Sequence, residues 1–163
     1  MPIESIIQPE VIDVDCQIRL RKYDGICQFA LSWYQDEETL ILVDGKNKPY
    51  DMEKLERMYN ALNRRGELYF IEVKQGKDYE PVGDVTFSRE DMPIVIGNPM
   101  YRRKGIGRKV VEKLVSRGVE LGYSELYIDE IYEYNVGSIR LFESLGFQKY
   151  EDTEKGGRYR LRY

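Results

Sequence analysis

The chain has 163 residues, 42% hydrophobic and 33% charged, which suits one globular domain with its own core. A net charge of −4 argues against nonspecific nucleic-acid binding, which needs a basic surplus, and favours a cationic substrate. With no histidine and two cysteines, serine–histidine and cysteine–histidine catalysis and structural zinc are excluded, and acid–base work falls to Asp, Glu, Tyr, Lys, Cys or water.

The opening "MPIESIIQPEVIDVD" is acidic and carries a proline, unlike a secretory signal. No apolar run approaches the ~20 residues of a membrane helix. Cys16 and Cys27 make no disulfide framework, so the expected location is cytoplasmic. Alternation over Gln17–Tyr23 predicts a first strand. "DGICQFALSWYQD" sets Ile26, Phe29, Ala30 and Trp33 at helical spacing, and "DGKNKPYD" is turn chemistry. Asp51 caps a second predicted helix, striped by Leu55, Met58, Tyr59 and Leu62 up to Gly66. "ELYFIEV" and "PVGDVTF" read as strands joined by the hairpin loop "KQGKDYE", and "MPIVI" as a short buried strand. A helix from about Gly107 to Glu120 turns Val110, Val111, Leu114 and Val115 inward, and "ELYIDEI" is the next strand. "NVGSIRLFESLGF" is a short helix with Asn135 as N-cap, Gly146 at C′ and Phe147 folding back in a Schellman contact. "FQKYEDT" and "GRYRLRY" close as a hairpin. "MPIVI", helix and "ELYIDEI" form a β-α-β crossover, which predicts a parallel pair inside an otherwise antiparallel sheet.

"YRRKGIGRKVVEKLV" puts cations and glycines in front of a helix. A helix start has amides without intrahelical partners and a partial positive charge. Gly105 and Gly107 admit a large anion close to the backbone, while Arg102, Arg103, Lys104 and Arg108 surround it with charge. Such a helix start suits a phosphate or diphosphate; a solvated turn is the plainer alternative that these residues leave open. Neither nucleotide fingerprint fits: the Walker A lysine pattern is absent, and Val110 stands where a dinucleotide loop has its third glycine.

"RRKGIG" (residues 102–107) matches the Gln/Arg-x-x-Gly-x-Gly/Ala loop of the GNAT family of N-acetyltransferases, and "NVGSIRLFESLGF" matches its second signature, Asn-x-x-Ala/Ser-x-x-Leu/Phe-Tyr/Phe-x-x-x-Gly-Phe. The chain resembles that family best over about residues 81–150, and its N-terminal third looks like the ribosomal-protein and aminoglycoside acetyltransferase branches. The resemblance implies a single α+β (mixed α/β) domain over residues 1–163: a mostly antiparallel mixed sheet of about six to seven strands with a splayed parallel central pair, flanked by about four helices. It implies acetyl-CoA as cofactor, with Arg102, Arg103, Lys104, Gly105, Ile106, Gly107 and Arg108 around the diphosphate. Val95 and Ile96 would offer strand-edge amides to the pantetheine and thioester, and Asn135, Ser138 and Phe142 would line the cofactor. Homodimers are common in families like this one.

Phe142 departs from the pattern, because many members carry there a tyrosine that protonates the departing thiolate. A thiol of pKa about 8.5 leaves tolerably without that help; Tyr132, Tyr134 or water are the substitutes. The acceptor amine needs a base, for which Asp129 and Glu130 stand first, with Glu72 and Asp84 on the central strands as alternatives. Strict alternation would place Tyr127, Asp129 and Ile131 on one face and Leu126, Ile128 and Glu130 on the other. The expected activity is acetyl transfer to a primary amine of a cationic small molecule, aminoglycoside- or polyamine-like. A protein N-terminus or lysine, or a non-catalytic acyl-CoA-binding module, are the alternatives.

Overall fold

The computed structural model describes residues 2–163. Its elements run β1 (Val11–Asp13), β2 (Ile18–Lys22), a 3-10 segment (Gln28–Gln35), α1 (Glu37–Asp44), α2 (Met52–Arg65), β3 (Glu67–Gln75) and β4 (Asp78–Phe87). They continue with β5 (Ile94–Ile96), a 3-10 turn (Pro99–Tyr101), α3 (Ile106–Glu120), β6 (Glu125–Tyr132), α4 (Val136–Ser144), β7 (Gln148–Asp152) and β8 (Gly156–Arg162). The predicted order is kept, with two additions, β1 and α1.

The stretch expected as the first helix is a 3-10 segment with a kink at Tyr34 and no side-chain cap. It buries Ala30, Trp33 and Tyr34 and leaves Ile26 exposed, so the predicted apolar face is only partly used. α1 follows directly, because Asp36 caps it: Asp36 Oδ2 accepts from Thr39 N and Thr39 Oγ1, both at 3.1 Å. Gly45, at φ 69°, ends it. The β3–β4 hairpin turns on Gly76 and Lys77 alone, so its strands extend through most of the residues predicted as loop. At the end of α4, Phe147 N donates to Phe142 O (3.1 Å) and Gly146 N to Glu143 O (3.0 Å), with the Phe142 and Phe147 rings 5.2 Å apart. This is the predicted Schellman closure.

The strands pair as two antiparallel sheets, β1-β2-β3-β4-β5 and β6-β8-β7. The expected splayed pair is β5 and β6, and the splay is complete: these strands share no ladder. The sheets touch where Tyr127 N donates to Arg89 O (2.8 Å) and Asp129 N to Asp91 Oδ1 (3.0 Å). Both numbers of each pair advance by two, which is the parallel sense. Past Asp91 the chain turns to pair with β4, beginning where Thr86 N donates to Pro93 O at 3.0 Å.

Alternation along β3 sends Tyr69 and Ile71 into one core and Leu68 and Phe70 into another. The first core is completed by Val110, Val111 and Leu114 of α3 and by sheet β6-β8-β7; the second holds the aromatics of the 3-10 segment and α2. α3 is pinned by a buried bidentate pair, Arg117 Nε and Nη2 to Glu67 at 2.7 and 2.8 Å, with Tyr69 also donating to Glu67. That pair holds the C-terminal turn of the helix against the start of β3.

Candidate active site

The gap between β5 and β6 opens into a cavity of about 470 Å³. One wall is Asp91–Ile96, the opposite wall Ile128–Tyr132. Gly107 of α3, Asn135, Ser138, Leu141 and Phe142 close one end, and Thr39, Leu42 and Val43 of α1 lie across it.

The bonding of β5 decides which amides face the gap. Thr86 N donates to Pro93 O (3.0 Å) and Gly97 N to Val82 O (2.8 Å). Odd-numbered residues here therefore bond to β4, and by alternation Ile94 and Ile96 present theirs to the gap. Val95, paired with Asp84, turns its amide to β4, so Ile94 takes the position that the sequence assigned to Val95.

On the facing strand, the β6–β8 register slips between Ile128 and Ile131. The bulge sets Asp129 and Glu130 against one partner residue and breaks strict alternation. Ile131 joins Leu126 and Ile128 in the core, while Asp129 and Glu130 are both exposed at the cavity. The expected pairing of Ile131 with Asp129 on one face is thus corrected. Arg158 Nε lies 3.8 Å from Asp129 Oδ1; Glu130 makes no salt bridge among the described residues. The neighbouring Asp91 accepts from the Met92 and Asp129 amides, and burial raises the pKa of its carboxyl. Sequence reasoning gave it no role, because its contact with the Asp129 amide is a tertiary one.

Beyond β5, Arg103 (φ 60°) and Gly105 (φ 78°) are both left-handed, and no side chain caps α3. The first intrahelical bond is Lys109 N to Gly105 O, so the amides of Ile106, Gly107 and Arg108 have no helical acceptor. Such a turn is an anion concavity. A Cβ on Gly105 would meet nothing within 4 Å, so that glycine serves the backbone conformation. A Cβ on Gly107 would lie 2.9 Å from Leu141 Cδ1, so this glycine serves α3–α4 contact rather than anion approach.

The cations divide. Arg103 and Lys104 make no salt bridge among the described residues, while Arg108 reaches Ser144 Oγ (3.2 Å) and Glu112 (3.5 Å) near the surface. Arg102 turns away from the concavity. Its Nε donates to Ile96 O (3.0 Å), Nη1 to Glu38 (3.1 Å), and Nη2 to Thr39 Oγ1 (2.6 Å) and Asp36 (3.3 Å). Asn135 caps α4 through Ser138 N at 3.2 Å. Phe142 is buried, as its side chain requires.

Tyr134 does not line the cavity; its hydroxyl donates to Ile41 O at 2.7 Å. Tyr132, stacked on Tyr134 at 5.4 Å, does line it. Glu72 is held by Arg19 and Arg21, each at 2.8 Å, and does not line the cavity. Asp84 is buried outside the cavity and accepts from Tyr34 (2.7 Å) and Tyr59 (2.8 Å). Both are structural carboxylates.

A family model described as the acetyltransferase (GNAT) family matches residues 28–147. The protein MJ1062 of Methanocaldococcus jannaschii is 26% identical over 160 residues, and the chain spans 32% of that protein's length. The N-acetyltransferase YfmK of Bacillus subtilis is 29% identical over 123 residues, covering 75% of this chain and 78% of YfmK. Among solved structures, the aminoglycoside acetyltransferase AAC(6')-Ib in complex with coenzyme A superposes with a TM-score of 0.69 at 15% identity, over 89% of this chain and 94% of that one. The forked strands, the uncapped helix start and the matched family model agree: the chain belongs to the GNAT acetyltransferase family.

Proposed function

We propose that residues 1–163 form one acetyl-transfer unit that moves acetyl from acetyl-CoA to a primary amine of a cationic small molecule, by direct attack in a ternary complex. The observation that carries this reading is the alignment of the α3 concavity with the fork. An anion seated on the amides of residues 103–108 lies at one end of a gap edged by the unpaired Ile94 and Ile96 amides. The residues present fit coenzyme A: a left-handed Gly105 with open space before it, an uncapped helix start, and a cleft lacking a ladder.

When bound, acetyl-CoA supplies the activated acyl group. Main-chain amides from Arg103 to Arg108, with the Lys104 and Arg103 side chains, hold its diphosphate. The Ile94 amide would donate toward the acyl oxygen, where charge develops during attack, and the Ile96 amide, two strand residues nearer the loop, toward the pantetheine arm. Glu130, with no salt-bridge partner, attracts the ammonium and takes its proton, and Asp129 adds negative potential beside it. Tyr132 is the phenol at the cavity wall that can donate a proton, the task for which Phe142 lacks a group. A cationic acceptor follows from these carboxylates and from Asp91 at the same end. The fold shared with AAC(6')-Ib supports the choice of an amine acceptor.

One observation favours a second reading, a module that binds acyl-CoA without turnover: Phe142 has no proton to give. Incubation with acetyl-CoA and a panel of polyamines, aminoglycosides and amino-terminal peptides, following thiol release, separates the two. Turnover of a cationic amine is expected; cofactor binding with no turnover of any amine would establish the module instead.

A further inference from the structure

Helix α1 is tied at both ends, and its two ties lie on opposite sides of the fork. At its N-terminal end Arg102, from the loop after β5, bonds to Asp36, Glu38 and Thr39 while its Nε holds Ile96 O on β5 itself. At its C-terminal end Tyr134, from the loop after β6, donates to Ile41 O and stacks on Tyr132 of β6. Gly45 leaves room for this: a Cβ there would stand 3.3 Å from the Tyr134 oxygen. β5 and β6 share no ladder, so the path Ile96–Arg102–α1–Tyr134–Tyr132 crosses the gap that the strands leave open.

We infer that Arg102 and Tyr134 are positioning residues of a brace. Through α1 they fix the width of the fork and the place of the wall formed by Thr39, Leu42 and Val43. This replaces two assignments suggested by the sequence, Arg102 as a diphosphate ligand and Tyr134 as a proton donor. The guanidinium is occupied by carboxylates, a hydroxyl and a carbonyl, and the phenol by a carbonyl. Asp36 gains from the arrangement: its pKa is held low, first by the Thr39 amide and also by Arg102. That the braced wall meets an acceptor amine rests on the acetyl-transfer reading; the brace itself does not.

The test compares wild type with Tyr134→Phe and Arg102→Gln by hydrogen exchange without ligand and by calorimetry with coenzyme A. Removing one bond should speed exchange of the α1 amides by about three- to tenfold, leaving β3 and α3 unchanged. Because the fork also takes the pantetheine, any loss of coenzyme A affinity should accompany loss of α1 protection. With acetyl-CoA and spermidine as the amine probe, Tyr134→Phe should raise the KM for amine with kcat within about twofold. Unchanged exchange in α1 would overturn the brace. So would a fall in kcat of about 10²-fold or more in Tyr134→Phe at constant KM, which marks a proton donor. A tenfold loss of coenzyme A affinity in Arg102→Gln with α1 still protected would make Arg102 a phosphate ligand. Should Arg102→Gln fail to fold, Tyr134→Phe decides alone. If wild type binds no coenzyme A, the acetyl-transfer reading falls while the exchange comparison still judges the brace.

Discussion

The Asp91 carboxylate accepts a hydrogen bond from the Asp129 amide at 3.0 Å, and beyond that contact β5 and β6 share no ladder. A side chain thus makes the last rung, and from Pro93 onward the chain pairs with β4, where Thr86 N donates to Pro93 O. Asp91→Ala should strand two amides, those of Met92 and Asp129. The loss is expected to be about 0.5–1.5 kcal/mol for each hydrogen bond removed. Asp91→Asn, which keeps an acceptor oxygen, should lose much less. Urea midpoints of the two variants provide the check.

The two loop glycines should fail in different ways. Gly105→Ala puts a Cβ into open space but forces a left-handed alanine, a strain of about 1–2 kcal/mol. The turn should relax out of shape, and the rise in melting temperature with coenzyme A should shrink or vanish. Gly107→Ala sets a Cβ 2.9 Å from Leu141 Cδ1, the movable end of a side chain, so its effect should show in the ligand-free melt and the rise with coenzyme A should persist. Thermal melts with and without coenzyme A distinguish the two.

Asp84 should make stability depend on pH. Burial outweighs its two tyrosine donors and pushes its pKa up to about 6, from an ordinary 3.8. The folded state therefore binds the proton more tightly than the unfolded chain. Stability from this group is complete below about pH 4 and is lost as pH rises through about 6, in total about 3 kcal/mol. Asp84→Asn keeps an acceptor for Tyr34 and Tyr59 without the buried charge. Its stability relative to wild type should climb between pH 4 and 6 and then level off, as read from denaturation at stepped pH.

Which parts of this molecule could be read from the sequence follows from where local signals agree with tertiary packing. α3 carries an apolar stripe between two glycines and α4 a stripe, an Asn135 cap and a terminal glycine, and both form where expected. α1 does not: "TLILV" has no helical stripe, and only the Asp36 cap and the packing of Leu40 make it a helix. The 3-10 segment fails for the opposite reason, since its apolar spacing is helical but no side chain caps it. At the site, the turn before α3 was legible because its glycines are visible in one dimension. The Asp129–Glu130 bulge was not, because a register slip depends on β8. The fates of Arg102 and Tyr134 depend on α1, so they could not be foreseen once that helix was missed.

Glu130→Gln should lower kcat/KM for a cationic amine by about 10²- to 10³-fold. Asp129→Asn, whose carboxylate already faces Arg158, should cost less. Neither change should weaken coenzyme A. Thiol release measured across pH tests both.

The most direct test is a crystal structure of the chain with coenzyme A, paired with calorimetry. The diphosphate is expected on the main-chain amides between Arg103 and Arg108, with the pantetheine running between Ile94–Ile96 and Ile128–Tyr132. A diphosphate seated elsewhere, or no measurable binding of coenzyme A, would contradict acetyl transfer at this site.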